Sequence, residues 1–508
     1  MINAPSFTPA QPKSNNGDVK TSIFYMNDIH SQISRLSRLK TAADTFTTSR
    51  PHDQVDCFKV TAGDMMLGKD PKKASTIAGI LNHFGLDVST IGNHEFDMGV
   101  TNLAKTIAKS SYKFLTTNLN IDKNSPLNQV QGNKLVRSTV IEKNGNKYGF
   151  IGAQPIDLTL RTAKDADLTG VTVDDLEQTT KEIAEEVQKL KQQGVNKIIM
   201  LSHLGNDKEV KLAQKVDGID VIIGGHSHDL IKGVTTGQNY VMSPSGEPVV
   251  ITQAGRDGNY FGILDLVFDK DGRIKSVTNN VTSTNNVSKN LVVNYFADQA
   301  LGKAEQIGFV NSVKNLPEDV LVAENPIANF MADAMRKKAG TEIALINSAN
   351  MRGSLCPGII TTNDIADLEP FKNSIAKVNL SEKDLIDGLN MCAKSINAPK
   401  HKPGIMQVSG LKYTITPEGN VKDVYLKKDD GQLIKLNHEN PSPTKTFTAV
   451  YDSFVMGGGD GITPFKKDES EILEKYNWTK ADAMQEFILA QKGKPIDLDI
   501  DGRITVLK

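Results

Sequence analysis

The stretch Thr90-Ile91-Gly92-Asn93-His94-Glu95-Phe96-Asp97-Met98 decides how the rest of the chain is interpreted. Asn93 and His94 are adjacent, and Asp97 follows three residues later. This pattern indicates a metal ligand, a catalytic imidazole and the carboxylate that orients it. A polar turn between a strand and a helix explains the same residues, because Gly-Asn is common turn chemistry. Similar clusters recur after other apolar runs and contain five of the nine histidines, which favours the chemical interpretation.

The recurring pattern is a short, β-prone run that ends in polar residues. Apart from the opening stretch, the clusters are Asn27-Asp28-Ile29-His30 after 21–26, Gly63-Asp64 after 58–61, Ser202-His203-Leu204-Gly205 after 197–201, and Gly224-Gly225-His226-Ser227-His228 after 221–223. Apolar residues at helical spacing, in 32–46 and 73–84, separate the first three strands. Alternating strand, loop and helix predicts a layered α/β fold with its site at the strand ends.

The remaining elements of the first half are predicted from the same signals. Residues 136–152 are predicted to form a hairpin that turns at Asn144-Gly145. An amphipathic helix is predicted over 173–193, with Gly194 closing it. Residues 248–252, 262–268 and 273–277 are predicted to be strands, so the first domain ends in β structure.

The composition bounds the class of protein. At 508 residues, the chain is expected to contain two or three domains. Hydrophobic content of 38% and charged content of 23% are typical of a globular protein. The net charge of -1 provides no general attraction to nucleic acid or to a membrane surface, although a small nucleotide remains a suitable partner. Three scattered cysteines exclude a disulfide framework and a thiolate metal site, so a metal would need His, Asp and Asn ligands.

Domain organisation follows from composition along the chain. Residues 1–19 are rich in Pro, Asn, Ser and Lys and are predicted to be a disordered lead-in. They lack the apolar core of a secretory signal, and no run approaches the roughly 20 apolar residues that span a bilayer. We therefore expect a cytoplasmic protein without a membrane segment. The first domain is predicted over 20–285, a linker over 286–316 and a second α/β domain over 317–508.

The candidate metal ligands of the first domain are all oxygen or imidazole donors, namely Asp28, His30, Asp64, Asn93, His203, His226 and His228. Such donors suit Zn, Mn, Fe, Co or Mg rather than a soft metal bound by thiolates. Seven ligands are too many for one tetrahedral ion and fit two divalent ions that share a carboxylate. The sequence therefore predicts a dinuclear centre, with the identity of the metals left open.

The order of these motifs resembles that of the calcineurin-like metallophosphoesterases. The second half is similar to the C-terminal domain of the 5′-nucleotidases, in segments that include 332–335, Ile346-Asn347 with Arg352, Pro370-Phe371, 408–410, Phe454 with 458–461, and 501–504. The resemblance covers nearly the whole chain, roughly Ser22 to Ile504. It implies a four-layer αββα sandwich joined by a helical linker to a smaller α/β substrate-binding domain.

The resemblance also implies roles for the site residues. One ion would lie among Asp28, His30, Asp64 and His228, and the other among Asp64, Asn93, His203 and His226. Asp64 would bridge both ions. His94 would stabilise the departing oxygen of a phosphate ester, and Asp97 would hold its tautomer and orientation.

The same resemblance implies substrate contacts in the second domain, made by Asn347, Arg352, Phe454, Asp460 and Ile405. A guanidinium fork matches phosphate geometry, so Arg352 is the expected partner of the substrate anion. Phe454 would offer a ring face to a nucleobase. The chain departs from the family where Ile405 replaces the usual first aromatic of the base clamp, and where Ser348-Ala349-Asn350 replaces a run of glycines.

These observations favour a two-metal hydrolase of the 5′-nucleotidase type, which releases nucleoside and phosphate from a small nucleotide. Two alternatives remain. One is a related enzyme that acts on cyclic nucleotides, nucleotide-sugar pyrophosphates or a sulfur ester with the same metals. The other is a non-catalytic protein that binds metal and nucleotide. The sequence leaves the oligomeric state open.

Overall fold

A computed structural model describes residues 17–369, 371–398 and 401–507. Residues 1–16 of the predicted lead-in and Pro370 of the second-domain motif lie outside the described residues. The chain divides into two compact units, the first with residues 17–31 and Arg35–Phe296, the second with Gln32–Ser34 and residues 297–507. In the described part of the chain, no helix has the length and apolar character needed to cross a membrane.

Strands and helices alternate through most of the first unit. Its strands are β1 (Val19–Met26), β2 (Asp56–Thr61), β3 (Val88–Thr90), β4 (Lys113–Leu115), β5 (Leu119–Ile121), β6 (Leu135–Val136), β7 (Ser138–Lys143), β8 (Asn146–Ala153), β9 (Val171–Val173), β10 (Ile198–Ser202), β11 (Val221–Ile223), β12 (Tyr240–Met242), β13 (Pro248–Thr252), β14 (Tyr260–Phe268) and β15 (Ile274–Ser283). Its helices are α1 (Ile33–Thr48), α2 (Pro71–Asn82), α3 (Val100–Lys109), α4 (Leu158–Arg161), α5 (Leu176–Gln192), α6 (Asn206–Ala213) and α7 (Leu291–Leu301).

Two sheets form the centre of the first unit. In one, the strands follow the order β15-β14-β1-β2-β3-β4-β6, and in the other the order β12-β13-β11-β10-β8-β7. The strands β1 to β4 are mutually parallel, as are β8, β10, β11 and β13. The candidate ligands follow β1, β2 and β3 of the first sheet and β10 and β11 of the second, each at the carboxyl end of its strand.

The alternation of side chains along β10 shows how the layers pack. Ile199 and Leu201 join a core that also contains apolar residues of the other sheet, so the two sheets pack face to face. Ile198 and Met200 point to the opposite face and pack with residues of α5 and α6. On the outer face of the first sheet, the Phe46 ring of α1 lies 5.8 Å from the Phe24 ring of β1. The predicted helix–sheet–sheet–helix layering is thus confirmed.

The second unit is a smaller α/β structure. Its strands are β16 (Gln306–Val313), β17 (Ile343–Asn347), β18 (Gly358–Thr361), β19 (Ile375–Ser381), β20 (Met406–Ser409), β21 (Leu411–Ile415), β22 (Val421–Lys427), β23 (Leu433–Lys435), β24 (Thr446–Asp452), β25 (Ile472–Tyr476), β26 (Ile496–Leu498) and β27 (Ile504–Val506). Its helices are α8 (Pro326–Ala339), α9 (Thr362–Leu368), α10 (Glu382–Ala393), α11 (Ser453–Met456) and α12 (Lys480–Leu489).

The central sheet of the second unit has the strand order β20-β17-β24-β19-β25 and carries a core on each face. Ile343 and Leu345 of β17 pack on one side with α10, while Ala344 and Ile346 pack on the other with α8 and α12. Two smaller sheets, β18-β16-β26 and β23-β22-β21-β27, complete the unit.

The element boundaries differ from the predicted ones at two places. The helix predicted over 173–193 begins at Leu176, because the Asp175 side chain caps the helix by accepting from the Gln178 N–H at 2.9 Å. Residues Val171–Val173 instead pair antiparallel with β5. Within the predicted linker 286–316, α7 spans the division between the two units, and β16 pairs with both β18 and β26.

Candidate metal and catalytic site

The candidate ligands lie in loops with an unusual backbone. Asp28, His30, Asp64, His226 and His228 all have positive φ, between 52° and 75°. Residues other than glycine adopt this left-handed region rarely, and such residues concentrate at functional sites. The loops aim the side chains from the strand ends into one buried cluster.

Close approach of the strand ends requires glycine at two positions. A Cβ on Gly92 would lie 2.1 Å from Oδ1 of Asp64, and a Cβ on Gly225 would lie 2.7 Å from the Ala62 carbonyl oxygen. Any side chain at Gly92 would therefore displace the Asp64 carboxylate, which the family resemblance implies as the bridge. The glycines of the Gly-Asn and Gly-Gly motifs bring the ligand-bearing loops together.

Asp28 and Asp64 stand at the centre of the cluster, fully or almost fully buried. Nε2 of His203 lies 3.1 Å from Asp64 Oδ2 and 3.8 Å from Asp28 Oδ1. Nε2 of His30 lies 3.6 Å from Asp64 Oδ2 and 3.8 Å from Asp28 Oδ1. Nε2 of His228 lies 3.4 Å from Asp28 Oδ1. The structure therefore brings these five predicted ligands together.

Three overlapping groups in this cluster are spaced to hold a cation, with their ligand atoms within 4.8 Å of one another. They are Asp28 with His30 and His228, Asp28 with Asp64 and His203, and His30 with Asp64 and His94. The third group places His94 within reach of a cation, a role that the sequence analysis did not give it.

Two imidazoles are oriented by contacts at Nδ1, the ring nitrogen that does not face Asp28 and Asp64. Nδ1 of His30 lies 2.8 Å from Asp257 Oδ1, and Nδ1 of His203 lies 2.6 Å from the Ala62 carbonyl oxygen. Metal-binding histidines typically donate one ring N–H to such an acceptor and coordinate through the other nitrogen. Among the described residues, Nε2 of His30 and of His203 has no hydrogen-bond partner although it is buried. The donor set therefore fits a divalent cation.

Asn93 and His226 form the other predicted part of the site. Oδ1 of Asn93 lies 3.0 Å from Nδ1 of His226, and Nδ2 of Asn93 donates to the Arg161 carbonyl at 3.0 Å. Nε2 of His226 lies 3.1 Å from Asp157 Oδ1. Both side chains are thus fixed on one side, with Asn93 Oδ1 and His226 Nδ1 facing each other.

His94 and Asp97 form the predicted pair. Nδ1 of His94 lies 2.9 Å from Asp97 Oδ2, and the His94 side chain is 24% exposed while that of Asp97 is 3% exposed. The Asp97 carboxylate also accepts from the Gly68 N–H at 2.7 Å and the Ala163 N–H at 2.9 Å. A fixed carboxylate behind a more accessible imidazole suits proton transfer to a bound molecule.

Electrostatics favour charged carboxylates in this cluster. Burial acts to raise the pKa of Asp28 and Asp64, but His203 and other neighbouring imidazoles outweigh it, and both pKa values are lowered. Burial opposes protonation of His30 and His203, whereas adjacent carboxylates raise their pKa values to about 9 and about 10. Burial lowers the pKa of His228 to about 4. Because ligands must be deprotonated, cation binding here would release protons.

Sequence reasoning missed three supporting carboxylates. Glu95, inside the opening stretch, accepts from the backbone N–H of Asp64, Met65 and Gly92 at 2.6–3.0 Å, which fixes two of the loops. Asp257 and Asp157 orient His30 and His226. Asp257 precedes Gly258 in what resembles an ordinary Asp-Gly turn, and its position soon after β13 was the one signal available.

The second unit places the predicted substrate residues as follows. Nδ2 of Asn347 donates to Asp460 Oδ2 at 2.8 Å, which links β17 to the glycine-rich turn after α11. Nη1 of Arg352 donates to the Ala349 carbonyl at 2.6 Å, and its guanidinium carbon lies 5.2 Å from the Phe371 ring centre. Phe454 is partly buried and packs against the core of this unit.

The assignment of Ile405 as a substrate contact is wrong in this structure. Its side chain is 0% exposed and belongs to the apolar core beside β20. Its backbone is held as well, since its N–H donates to the Leu321 carbonyl at 2.8 Å and its carbonyl accepts from Ser348 Oγ at 2.6 Å. Burial of this aliphatic side chain stabilises the fold, and a fully buried side chain cannot contact a ligand.

Comparison with known proteins agrees with this architecture. Residues 21–230 match the family model of the calcineurin-like phosphoesterases, and residues 300–467 match that of the 5′-nucleotidase C-terminal domain. The chain is 26% identical to the trifunctional nucleotide phosphoesterase protein YfkN of Bacillus subtilis, an alignment that covers 98% of this chain and 35% of that protein. The chain therefore spans about a third of the length of this relative.

Two further relatives align over most of their own length. The chain is 27% identical to a probable 5′-nucleotidase of Treponema pallidum, with 88% of this chain and 77% of that protein covered. The crystal structure of a 5′-nucleotidase precursor from Thermus thermophilus superposes with a TM-score of 0.66 at 22% identity, covering 96% of this chain and 99% of that one. The chain thus belongs to the calcineurin-like phosphoesterases with a 5′-nucleotidase C-terminal domain, a family of hydrolases that act on phosphate esters and use divalent metal ions.

Proposed function

We propose that this chain is a phosphomonoesterase of the 5′-nucleotidase type, which uses two divalent ions to release phosphate from nucleoside monophosphates. The observation that carries the proposal is the buried cluster around Asp28 and Asp64, in which Nε2 of His30 and of His203 converges on the two carboxylates. Buried charges in proteins are paired or coordinate metals. The spacing of this cluster lets groups of three ligand atoms surround one cation.

Asp28, His30, Asp64 and His228 would hold one ion, and Asp64, Asn93, His203 and His226 the other. When bound, two such cations polarise a phosphoryl oxygen and lower the pKa of a water molecule at the site. Asp64 would contribute charge to both positions. The supporting residues Asp257 and Glu95 keep the ligands from rotating, so little reorganisation accompanies the reaction.

His94 would serve the departing oxygen. Asp97 accepts the Nδ1–H, which leaves Nε2 directed away from the carboxylate. In its charged form, His94 would donate the Nε2 proton to the ester oxygen as the bond to phosphorus breaks. A positioned proton donor of this kind typically contributes on the order of 10²- to 10⁴-fold in rate.

The second unit would select the substrate. Arg352 supplies a guanidinium for the anion, and Phe454 supplies a ring for the base. The burial of Ile405 removes the second wall that the family pattern suggests, so we expect modest discrimination among nucleobases. The same feature supports a second candidate, a related phosphoesterase that accepts cyclic nucleotides or nucleotide sugars.

The test is hydrolysis by the metal-loaded protein of nucleoside monophosphates, nucleoside diphosphates, cyclic nucleotides, nucleotide sugars and ribose 5-phosphate. The products are separated by chromatography as well as assayed for phosphate, because opening a cyclic ester or cleaving the pyrophosphate bond of a nucleotide sugar frees no inorganic phosphate. We expect the highest kcat/KM for a nucleoside monophosphate. Fastest turnover of a cyclic nucleotide or nucleotide sugar would support the second candidate. Ribose 5-phosphate hydrolysed as efficiently as the best nucleotide would contradict base recognition, and no release from any ester would contradict the proposed function.

A further inference from the structure

A buried group of charged residues lies in the second unit, outside the residues assigned so far. Lys480, the first residue of α12, is 2% exposed, and its ammonium contacts Oδ2 of Asp452. The same ammonium lies 3.4 Å from Oε1 of Glu369, whose side chain is 1% exposed. One ammonium is thus shared between two carboxylates in the protein interior.

Neither solvent nor the helix explains the position of Lys480. Removing charges from water is unfavourable, and buried ion pairs are often no more stabilising than apolar residues of similar volume. A cation at the first residue of a helix also meets the positive end of the helix dipole. The favourable interactions of Lys480 are therefore those with Asp452 and Glu369, which suggests that holding these two residues is its role.

Asp452 connects the cluster to the candidate base-binding residue. Its Oδ1 accepts from the Val455 N–H at 3.1 Å and so caps α11, the short helix that contains Phe454. The Phe454 ring packs over Gly459, where an added Cβ would lie 2.5 Å from the ring. The start of α11 therefore determines where the ring lies.

Glu369 connects the cluster to the segment that carries Phe371. Its Oε2 accepts from the Lys372 N–H at 3.1 Å, while Oε1 has no hydrogen-bond partner among the described residues and faces the Lys480 ammonium. The Arg352 guanidinium lies over the Phe371 ring.

The two segments are also joined directly. The Ser453 N–H donates to the Ser374 carbonyl at 2.7 Å, and Asn373 Nδ2 lies 3.4 Å from Asp452 Oδ2. Residues 371–374 and 453–456 are therefore joined to each other, and each is also linked to Lys480 through Glu369 or Asp452.

We propose that Lys480 is a positioning residue for substrate recognition, which through Asp452 and Glu369 holds Phe454 and the Arg352–Phe371 pair in place for a nucleotide. The substrate part of this inference rests on the proposed function. Lys480 acts through other residues, so its loss should weaken binding of the substrate and leave the chemical step in the first unit nearly unchanged.

Lys480→Met tests the inference by removing the ammonium while keeping the length of the side chain. Lys338→Met is the matched control. Lys338 contacts Glu486, which lies in α12 like Lys480, and Lys338 touches neither carboxylate of the cluster. Since a lone Lys480→Met leaves two buried carboxylates unpaired, a third variant combines it with Asp452→Asn and Glu369→Gln. Lys480→Arg tests rescue by a retained charge.

The first measurement is amide hydrogen exchange by mass spectrometry, which needs no substrate. Lys480→Met and the triple variant should exchange faster than wild type in 371–374 and 453–456, with metal content unchanged. Lys338→Met should not, and Lys480→Arg should exchange more slowly than Lys480→Met. Unchanged exchange in these two segments would overturn the inference. This outcome is decisive even if the protein hydrolyses no nucleotide, because the measurement needs no substrate.

The second measurement is a kinetic cycle with the ester that wild type hydrolyses best. In Lys480→Met or the triple variant, KM should rise about 10-fold, the effect of losing a well-placed stacking contact, while kcat changes by less than about 3-fold. In a Phe454→Ala background the same change should raise KM by a smaller factor than in wild type, because the part of the effect that Phe454 transmits is already lost. An equal rise in KM in the wild-type and Phe454→Ala backgrounds would overturn the inference. The same rise in KM in Lys338→Met would also overturn it.

Discussion

The two units use opposite means to place their candidate functional residues. In the first, short side chains follow directly from buried parallel strands, and Asp28, Asp64 and His203 are at most 2% exposed. In the second, Arg352 and Phe454 lie in a loop and a four-residue helix, half-buried, with charged contacts behind them. Under the proposed function, the chemistry depends on rigid strand ends, whereas substrate choice depends on segments that are easier to alter.

The largest effect should follow from Asp64→Asn, which removes a charge shared by both proposed metal positions. We expect phosphate release to fall by more than about 100-fold, since losing even a supporting residue of a metal ligand costs about 10- to 100-fold. Metal content should fall as well, measured by elemental analysis. Asp271→Asn, in an exposed turn, is the control. Full metal occupancy with retained activity in Asp64→Asn would refute the shared position.

His94→Asn should separate chemistry from metal binding within the first unit. We expect kcat to fall by on the order of 10²- to 10⁴-fold with metal content retained, because a proton donor is lost and the assigned ligands remain. Exposed His52→Asn should change neither quantity. If metal content falls in step with activity, His94 is a ligand, as its distance to His30 and Asp64 permits.

Asp257→Ala tests a residue that the structure alone identified. Its carboxylate orients His30 through a contact of 2.8 Å, so its loss should weaken metal affinity by about 10- to 100-fold. Titration of the metal-free protein followed by isothermal calorimetry measures this. Unchanged affinity would mean that His30 is either oriented by other contacts or not a ligand.

Phe454→Ala should have a smaller effect, confined to substrate binding. Base stacking on an aromatic ring contributes roughly 1–3 kcal/mol, so KM for nucleotides should rise about 10-fold with little change in kcat. Phe309→Ala removes a more exposed ring elsewhere in the second unit and serves as the control. An unchanged KM in Phe454→Ala would show that this ring does not contribute to substrate recognition.

The smallest effect concerns Ile405 and reverses the expectation drawn from the family pattern. Because the side chain is fully buried, Ile405→Phe should overpack the core and lower the free energy of unfolding by about 1–3 kcal/mol, without lowering KM for nucleotides. Denaturant unfolding measures the first quantity, with exposed Ile359→Phe as the control. Tighter nucleotide binding in Ile405→Phe would restore this residue to the pocket.

The sequence predicts the candidate site of the first unit better than that of the second, for a physical reason. In the first, the candidate ligands follow strands whose parallel order brings their ends together, so a linear pattern predicted a three-dimensional cluster. Asp257 and Asp157 escaped notice because a single Asp in a turn has many roles. In the second, exposure decides whether a residue can touch a ligand, and the sequence around Ile405 does not indicate which way that side chain faces. The buried contacts of Lys480 could not be predicted from the sequence, because Glu369 and Asp452 are distant from it along the chain.

The proposed function requires that the strand-end cluster of the first unit hold two divalent ions. The most direct test is to strip the protein with a chelator and titrate it with Mn²⁺ while following hydrolysis of a nucleoside monophosphate. We expect no activity without metal and a rise in activity that saturates at about two equivalents per chain. Full activity in protein shown by elemental analysis to be free of metal, or saturation at one equivalent with His226→Ala unaffected, would contradict it.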